Sequence, residues 1–272
     1  MIYNFSVLLS VYFKESPFFL DECLKSIYNQ SVLPSEVILI KDGPLTNELD
    51  NVINIFSQKY TNLKIVSLSH NVGLGKALNE GLKHCTYDIV ARMDTDDIAK
   101  PYRFEKQIKI FQEYPEVDVV GAWIDEFEGT LQNIISTRKL PERHLYIYKY
   151  AKERNPINHP VVMFKKKAVI EAGGYQHFPL FEDYYLWVRM LLKGAKFYNI
   201  QESLLYFRFS PDMFKRRGGF KYACIEAKFQ WVLHQLGFIS LTKTCINIAI
   251  RFGTRIIPNS LRSWIYKNIL RK

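Results

Sequence analysis

Two hydrophobic periods alternate along the first half of this chain. Short, almost continuous apolar runs fall at residues 5–12, 36–41, 63–68, 89–93 and 117–122. Runs of this length bounded by turn residues predict buried strands. Between them, residues 17–29, 47–60, 73–84 and 102–114 place apolar side chains three and four apart, as a helix buried on one face requires. Ser16 before Pro17 is a cap followed by proline at the first helical position, so the first helix has a marked start. Strand and helix in strict alternation predict an α/β fold with a mostly parallel sheet covered on both faces. The middle is less regular. Residues 127–138 fit an edge hairpin, 141–154 a helix, 161–164 a short buried strand, 181–192 a helix and 203–209 a last strand. Beyond Pro211 the pattern is helical.

The hydrophobic fraction of 48% over 272 residues supports a sizeable core and excludes a disordered chain. The four cysteines, Cys23, Cys85, Cys224 and Cys245, have no metal-knuckle or redox spacing and read as reduced residues of a cytosolic protein. The first residues have no basic region or cleavage site, so secretion is not expected, and no apolar run is long enough for a membrane-spanning helix. Charge is placed unevenly. Residues 1–192 carry 22 Lys+Arg against 24 Asp+Glu, whereas residues 193–272 carry 15 against 3, and no acid follows Glu226. Such an asymmetry predicts a basic surface for a polyanion, nucleic acid or anionic lipid.

The chemistry concentrates where strands end. Asp94, Asp96 and Asp97 crowd three carboxylates into four residues directly after the strand that reaches Met93. Their repulsion is relieved by a hard divalent cation, and the carboxyl end of a strand is where open α/β sheets bind ligands. The plainer alternative is an acidic turn capping the next helix, with Asp97 the first to fit that role. Asp42, followed by Gly43, ends the second strand and suits either a nucleotide base or ribose, or an Asx-turn. The segment from Asn71 through Gly73 to Lys76 fails both the Walker and the dinucleotide fingerprints, since Ala77 and Leu78 stand at required positions. It presents instead a helix N-terminus toward the crevice. Glu182 and Asp183 open an aromatic-rich helix, as a general base or as dipole-stabilising acids. Gly173-Gly174 before it predicts a flexible loop, and the lone His159 reads as structural. Arg208 with Lys215, Arg216 and Arg217 forms a cationic cluster fitted to a diphosphate or a solvated face.

Taken in order, these segments resemble the family 2 glycosyltransferases, inverting enzymes of the GT-A fold. Ser6 to Tyr12 resembles their first nucleotide-binding strand, and Lys41-Asp42-Gly43 their Asp-Asp-Gly element with lysine at its first position. Asn71-Val72-Gly73-Leu74 followed by Ala77-Leu78-Asn79, then Asp94-Thr95-Asp96, then Glu182-Asp183 with Trp187 resemble three further motifs. The phrase from Ala91 to Asp97, with Pro101, Arg103 and Phe104, is typical of enzymes that build O-antigen or capsule. The resemblance implies a GT-A domain over residues 1–210 and a basic helical extension over 211–272. It implies Mn²⁺ or Mg²⁺ on Asp96 and Asp94, and a UDP-sugar donor held by Ser10, Tyr12, Asp42, Asn71, Gly73, Lys76, Asp94 and Arg208. Asp183 is the implied base, with Glu182 its neighbour. The implied reaction moves glucose from UDP-glucose to GlcNAc-diphospho-undecaprenol in β1,3 linkage, with a galactosyl or GalNAc transferase as the alternative within the family.

Two other classes compete. A sugar nucleotidyltransferase carries a glycine-rich basic loop after its first strand, where this chain has Phe13-Lys14-Glu15-Ser16-Pro17. A nucleic-acid binder is suggested by charge alone, without any recognisable binding motif, so no nucleic-acid partner is expected. Toward the C-terminus, Leu241, Cys245, Ile248, Ala249, Phe252 and Ile256 share one helical face, with Lys243, Arg251 and Arg255 around it. Leu261, Trp264, Ile265 and Ile269 start a second stripe beside Arg262, Lys267, Arg271 and Lys272. Basic amphipathic helices of this kind predict a peripheral protein on the cytoplasmic face of the inner membrane, bound to anionic lipid.

Overall fold

The computed structural model describes residues 4–209 and 219–256. Lys215, Arg216, Arg217 and the stripe from Leu261 to Ile269 lie outside the described residues.

The alternating half folds as its pattern predicts. Strands β1 (Phe5–Val11), β2 (Glu36–Lys41), β3 (Leu63–Ser67) and β4 (Ile89–Arg92) are joined by α1 (Pro17–Tyr28), α2 (Asn47–Lys59) and α3 (Leu74–His84). They pair in parallel in the order β3-β2-β1-β4. Every residue of β4 is buried, as expected of a strand covered on both faces. Gly81 of α3 is required by close approach, because a Cβ there would lie 2.3 Å from Leu8 Cδ1. Glu36, buried at the amino edge, accepts from Ser6 Oγ at 2.6 Å, the Thr86 amide at 2.5 Å and Lys64 Nζ at 2.6 Å. This clasp ties β1, β2, β3 and the approach to β4 together.

The irregular middle completes the sheet. After α4 (Arg103–Glu113) come β6 (Val117–Phe127), β7 (Ile134–Arg138), α5 (His144–Ala151), β8 (Met163–Lys165), α6 (Lys166–Glu171), α7 (Glu182–Leu192) and β9 (Lys196–Arg208). Strand β8 inserts antiparallel between β4 and β6, and β9 runs parallel to β6. Three expectations need correction. The last strand is 13 residues long and begins at Lys196; exposed Lys196, Gln201 and Glu202 and buried Asn199 break its apolar pattern. The helix expected over 141–154 is confined to His144–Ala151, its first residues spent on loop contacts with β9. A two-residue strand β5 (Ile98–Ala99), too short to show a period, pairs with Tyr206 and Leu205 of β9. That pairing carries the acidic loop's far end onto the sheet.

Helices α8 (Phe220–Gln235) and α9 (Leu241–Ile256) follow. Phe229 of α8 packs against Phe178, Phe181 and Tyr184, at ring separations of 5.0, 4.8 and 4.9 Å. Helix α8 thus shares the core that supports α7. Helix α9 meets the expectation only in part: Leu241, Cys245 and Ala249 of the expected stripe are exposed, whereas Ile248 and Phe252 are half-buried. Arg251 and Arg255 both point inward onto the buried carboxylate of Glu226, and Lys243 pairs with Glu153. Thr244 and Asn247 are buried, and Asn247 Nδ2 donates to Gln230 Oε1 at 2.8 Å. The cations expected to face lipid therefore serve the protein's own acids, since a buried Glu226 without them would be an unpaired charge.

Candidate active site

The carboxyl ends of β1, β2 and β4 form one edge of the sheet. The Met93 amide donates to Leu8 O at 3.2 Å, and the Asp42 amide to Val11 O at 2.8 Å. Asp42 and the acidic loop therefore flank the end of β1, at the crevice where an open α/β sheet takes its ligand.

The ligand atoms of Asp94, Asp96 and Asp97 lie within 4.8 Å of one another. Three like charges this close disfavour full ionisation. Burial, then the charges of Asp94 and Glu15, push the Asp96 carboxyl up to about 7. Burial, then Asp96 and Asp94, hold Asp97 well above the usual carboxylate range. Asp97 is fully buried; its Oδ1 accepts from the Arg208 amide at 2.9 Å, while its Oδ2 meets no donor. It does not cap α4, whose N-cap position is Tyr102 without a side-chain bond. Crowded oxygen ligands, one of them buried without a partner, fit a hard divalent cation.

The loop is built from behind. Arg92, buried on β4, donates both terminal nitrogens to the two oxygens of Asp94. Asp94 lies two residues on, just past the end of β4. Arg103, also buried, donates to Arg92 O at 2.6 Å, and Gln107 Nε2 to Val161 O at 2.7 Å. Thr95 Oγ1 donates to Glu15 Oε2 at 2.8 Å. Arg208 donates Nε to Asp96 O at 2.9 Å and Nη2 to Glu22 Oε2 at 2.7 Å, with its guanidinium 3.9 Å over the Phe19 ring. Arg208, expected at a diphosphate, here ties the acidic loop to Glu22 of α1.

Asp42 is buried and joins β2 to the start of α3. Its oxygens accept from the Val72 amide at 2.7 Å and the Gly73 amide at 3.1 Å, and Asn71 Nδ2 donates to Asp42 O at 3.3 Å. Gly73 takes φ +88° at the helix start, a conformation that costs a side-chain residue dearly. Ser10 is half-buried at the end of β1, and Tyr12 and Lys76 are exposed beside it and on the first turn of α3. The structure thus gathers Ser10, Tyr12, Asp42, Asn71, Gly73 and Lys76 on the same edge as the acidic loop.

Glu182 and Asp183 open α7. Asn155 Nδ2 donates to Asp183 Oδ2 at 2.6 Å, orienting that carboxylate. Burial, with Asp183 beside it, raises the Glu182 carboxyl. The loop before α7 is fastened rather than flexible. Asn79 of α3 exchanges two hydrogen bonds with the Tyr175 backbone, at 2.7 and 2.8 Å, and Arg189 donates to Ala172 O and Gly174 O. The Tyr175 hydroxyl pairs with His159 Nε2 at 2.8 Å, and His159 lies edge-on to Trp187. Burial, then Arg92, hold His159 well below its usual pKa. Burial pushes the Tyr175 hydroxyl up, with the charges of Arg92, Asp183 and Asp94 acting on it in smaller measure.

The chain is similar to known proteins in sequence and in fold. The family described as glycosyl transferase family 2 matches residues 6–172. The chain belongs to that family. It is 43% identical over 269 residues to an Escherichia coli UDP-Gal:alpha-D-GlcNAc-diphosphoundecaprenol beta-1,3-galactosyltransferase, covering 99% of this chain and 97% of that one. It is 40% identical to the amylovoran biosynthesis glycosyltransferase AmsE of Erwinia amylovora, covering 97% and 98%. Among solved structures, S. aureus TarS 1–349 in complex with UDP-GlcNAc superposes with TM-score 0.64 at 17% identity, over 84% of this chain and 65% of that one. The mannosyltransferase PcManGT from Pyrobaculum calidifontis, in complex with GDP-Man and Mn²⁺, superposes with TM-score 0.59 at 16% identity, over 95% and 77%. The fold is GT-A-like, and the chain is a glycosyltransferase of the polysaccharide-building kind.

Sequence reasoning missed Arg92, Asn155, Tyr175 and Glu15. Only Arg92 carried a signal, as a charged residue inside an otherwise apolar strand two positions before Asp94.

Proposed function

We propose that this protein transfers a hexose from a UDP-sugar onto a GlcNAc-diphospho-polyprenol, with inversion and in β1,3 linkage, during repeat-unit synthesis. The observation that carries the reading is the carboxylate trio beside β1, in a chain so similar along its length to a relative named for that acceptor. The relative's name specifies galactose, so galactose replaces glucose as the favoured donor sugar.

Asp96 and Asp94 would hold Mn²⁺ or Mg²⁺, with Arg92 fixing the orientation of Asp94. When bound, the ion neutralises charge that builds on the departing diphosphate. Asp42, Asn71, Ser10 and Tyr12 take the uridine side of the donor, and the amino end of α3 with Lys76 faces the phosphates. The acceptor hydroxyl oxygen attacks the anomeric carbon from the side opposite the diphosphate. As that bond forms, the bond to the diphosphate oxygen breaks and its electron pair leaves with UDP. Asp183, steadied by Asn155, takes the hydroxyl proton. Residues 211–272 act as an appended extension that keeps the enzyme at the cytoplasmic membrane face.

Radiolabelled UDP-galactose and UDP-glucose, each incubated with the protein, Mn²⁺ and a synthetic GlcNAc-diphospho-lipid, test the proposal. Galactose should move to the lipid, and EDTA should stop it. Transfer of neither sugar would overturn the reading, and faster transfer of glucose would overturn the donor assignment.

A further inference from the structure

Helix α9 turns its charged residues inward, with Ile248 and Phe252 half-buried among them and Phe252 packed on Phe220. The side turned to the protein holds Lys243, Thr244, Asn247, Arg251 and Arg255, whose contacts with Glu153, Gln230 and Glu226 are polar. The outward side runs through Leu241, Thr242, Cys245, Ile246, Ala249, Ile250 and Gly253, all exposed and none charged. Leu241, Ile246 and Ile250 stand 51, 48 and 61% exposed. A helix that directs its cations inward and leaves an uncharged, largely apolar strip exposed from Leu241 to Gly253 offers that strip to a partner.

The surrounding charge selects the occupant. The Gly219 amide donates to Arg255 O at 3.2 Å, so the start of α8 and the end of α9 meet at one end of the helix pair. Both remaining basic stretches are joined to the chain at that end. Residues 210–218 carry Lys215, Arg216 and Arg217 against Asp212, and residues 257–272 carry Arg262, Lys267, Arg271 and Lys272 with no acid. An uncharged apolar strip in a chain whose sequence is basic on both sides of the α8–α9 pair complements an anionic bilayer surface. The apolar side chains enter the boundary between headgroups and acyl chains, and the cations meet lipid phosphates.

We propose that the outward face of α9, centred on Ile246 and Ile250, is the surface by which this protein seats on an anionic membrane. The inference rests on the lipid-linked acceptor named above for its use, but not for its geometry. It differs from the expectation drawn from sequence in one decisive respect. Lys243, Arg251 and Arg255 take no part, because they are paired inward.

The test is vesicle flotation of the full-length protein with phosphatidylcholine alone or mixed with phosphatidylglycerol. The parent should float with the anionic vesicles and lose much of its binding in high salt. Ile246→Asp with Ile250→Asp should lower partitioning by at least about tenfold while leaving thermal unfolding unchanged, since both side chains are exposed. Transfer to a water-soluble, short-chain acceptor should be equal in parent and variant. Equal flotation of the two would overturn the proposal. A parent that does not float but forms dimers, which the double variant abolishes, would assign the face to a second copy instead. A truncation after Ile256 that binds phosphatidylcholine as well as anionic vesicles, where the parent binds neither, would assign it to residues 257–272. Failure of transfer with flotation intact would count against the acceptor reading and leave the membrane face standing.

Discussion

Cation binding at the acidic loop should depend steeply on pH, with a midpoint that the structure supplies. In the metal-free protein, burial and the neighbouring charges of Asp94 and Glu15 raise the Asp96 carboxyl from 3.8 to about 7. That difference corresponds to about 4 kcal/mol opposing the anion that a metal needs. Protonated Asp96 thus favours the metal-free fold at low pH, and this contribution is lost as pH rises through about 7. A cation competes with that proton, so apparent Mn²⁺ affinity should fall roughly tenfold for each pH unit below about 7 and level off above it. Mn²⁺ should correspondingly raise the melting temperature more at about pH 8 than at about pH 6. Titration of free Mn²⁺ by electron paramagnetic resonance, between about pH 5.5 and about pH 8.5, reads the first effect directly. An affinity constant across that range would refute the reasoning, because Asp96 would then either be ionised throughout or lie outside the metal's ligands. Asp97→Asn provides a contrast. The amide imitates the protonated acid and keeps an oxygen for the Arg208 N–H, so folding should survive the change.

Asp183→Asn should leave UDP binding intact and lower turnover by roughly 10²–10⁴-fold, while a larger loss in Glu182→Gln would move the base to Glu182. Asp42→Ala removes the acceptor of the Val72 and Gly73 amides, so donor KM should rise more than kcat changes, and stability should fall by roughly 2–4 kcal/mol. Unaltered donor KM and melting temperature together would rule out both roles. Burial alone would raise the Glu36 carboxyl, but hydrogen bonds from Lys64, Ser6 and Thr86 outweigh it and lower it from 4.5 to about 2. A depressed carboxyl stabilises the fold above its unfolded value, so roughly 3 kcal/mol should be lost as pH falls from 4.5 toward about 2. Glu36→Gln should remove most of that acid sensitivity, and urea melts that show the same slope for both proteins would contradict it.

Local pattern alone determined the first four strands, the helices between them and the placing of Asp42 and Asp94 at strand ends. Those features follow from period and turn chemistry, which neighbouring residues encode. The same holds for the acid pair at the start of α7, whose motif is contiguous. Elements with mixed faces were harder. Strand β9 alternates exposed and buried positions along a long edge pairing, and β5 is a strand only because β9 lies beside it. Tertiary structure alone decided what each charged side chain faces. Arg92 became the clamp of Asp94, Arg208 the brace of the acidic loop, and Asn79 the tie between α3 and the loop before α7. The orientation of α9 shows the limit most clearly. Its sequence allows an apolar face to pack inward, yet buried Glu226 draws Arg251 and Arg255 to itself and turns the apolar strip outward. A helix's period marks its two faces, but the cost of leaving one buried carboxylate unpaired chooses which of them faces the protein.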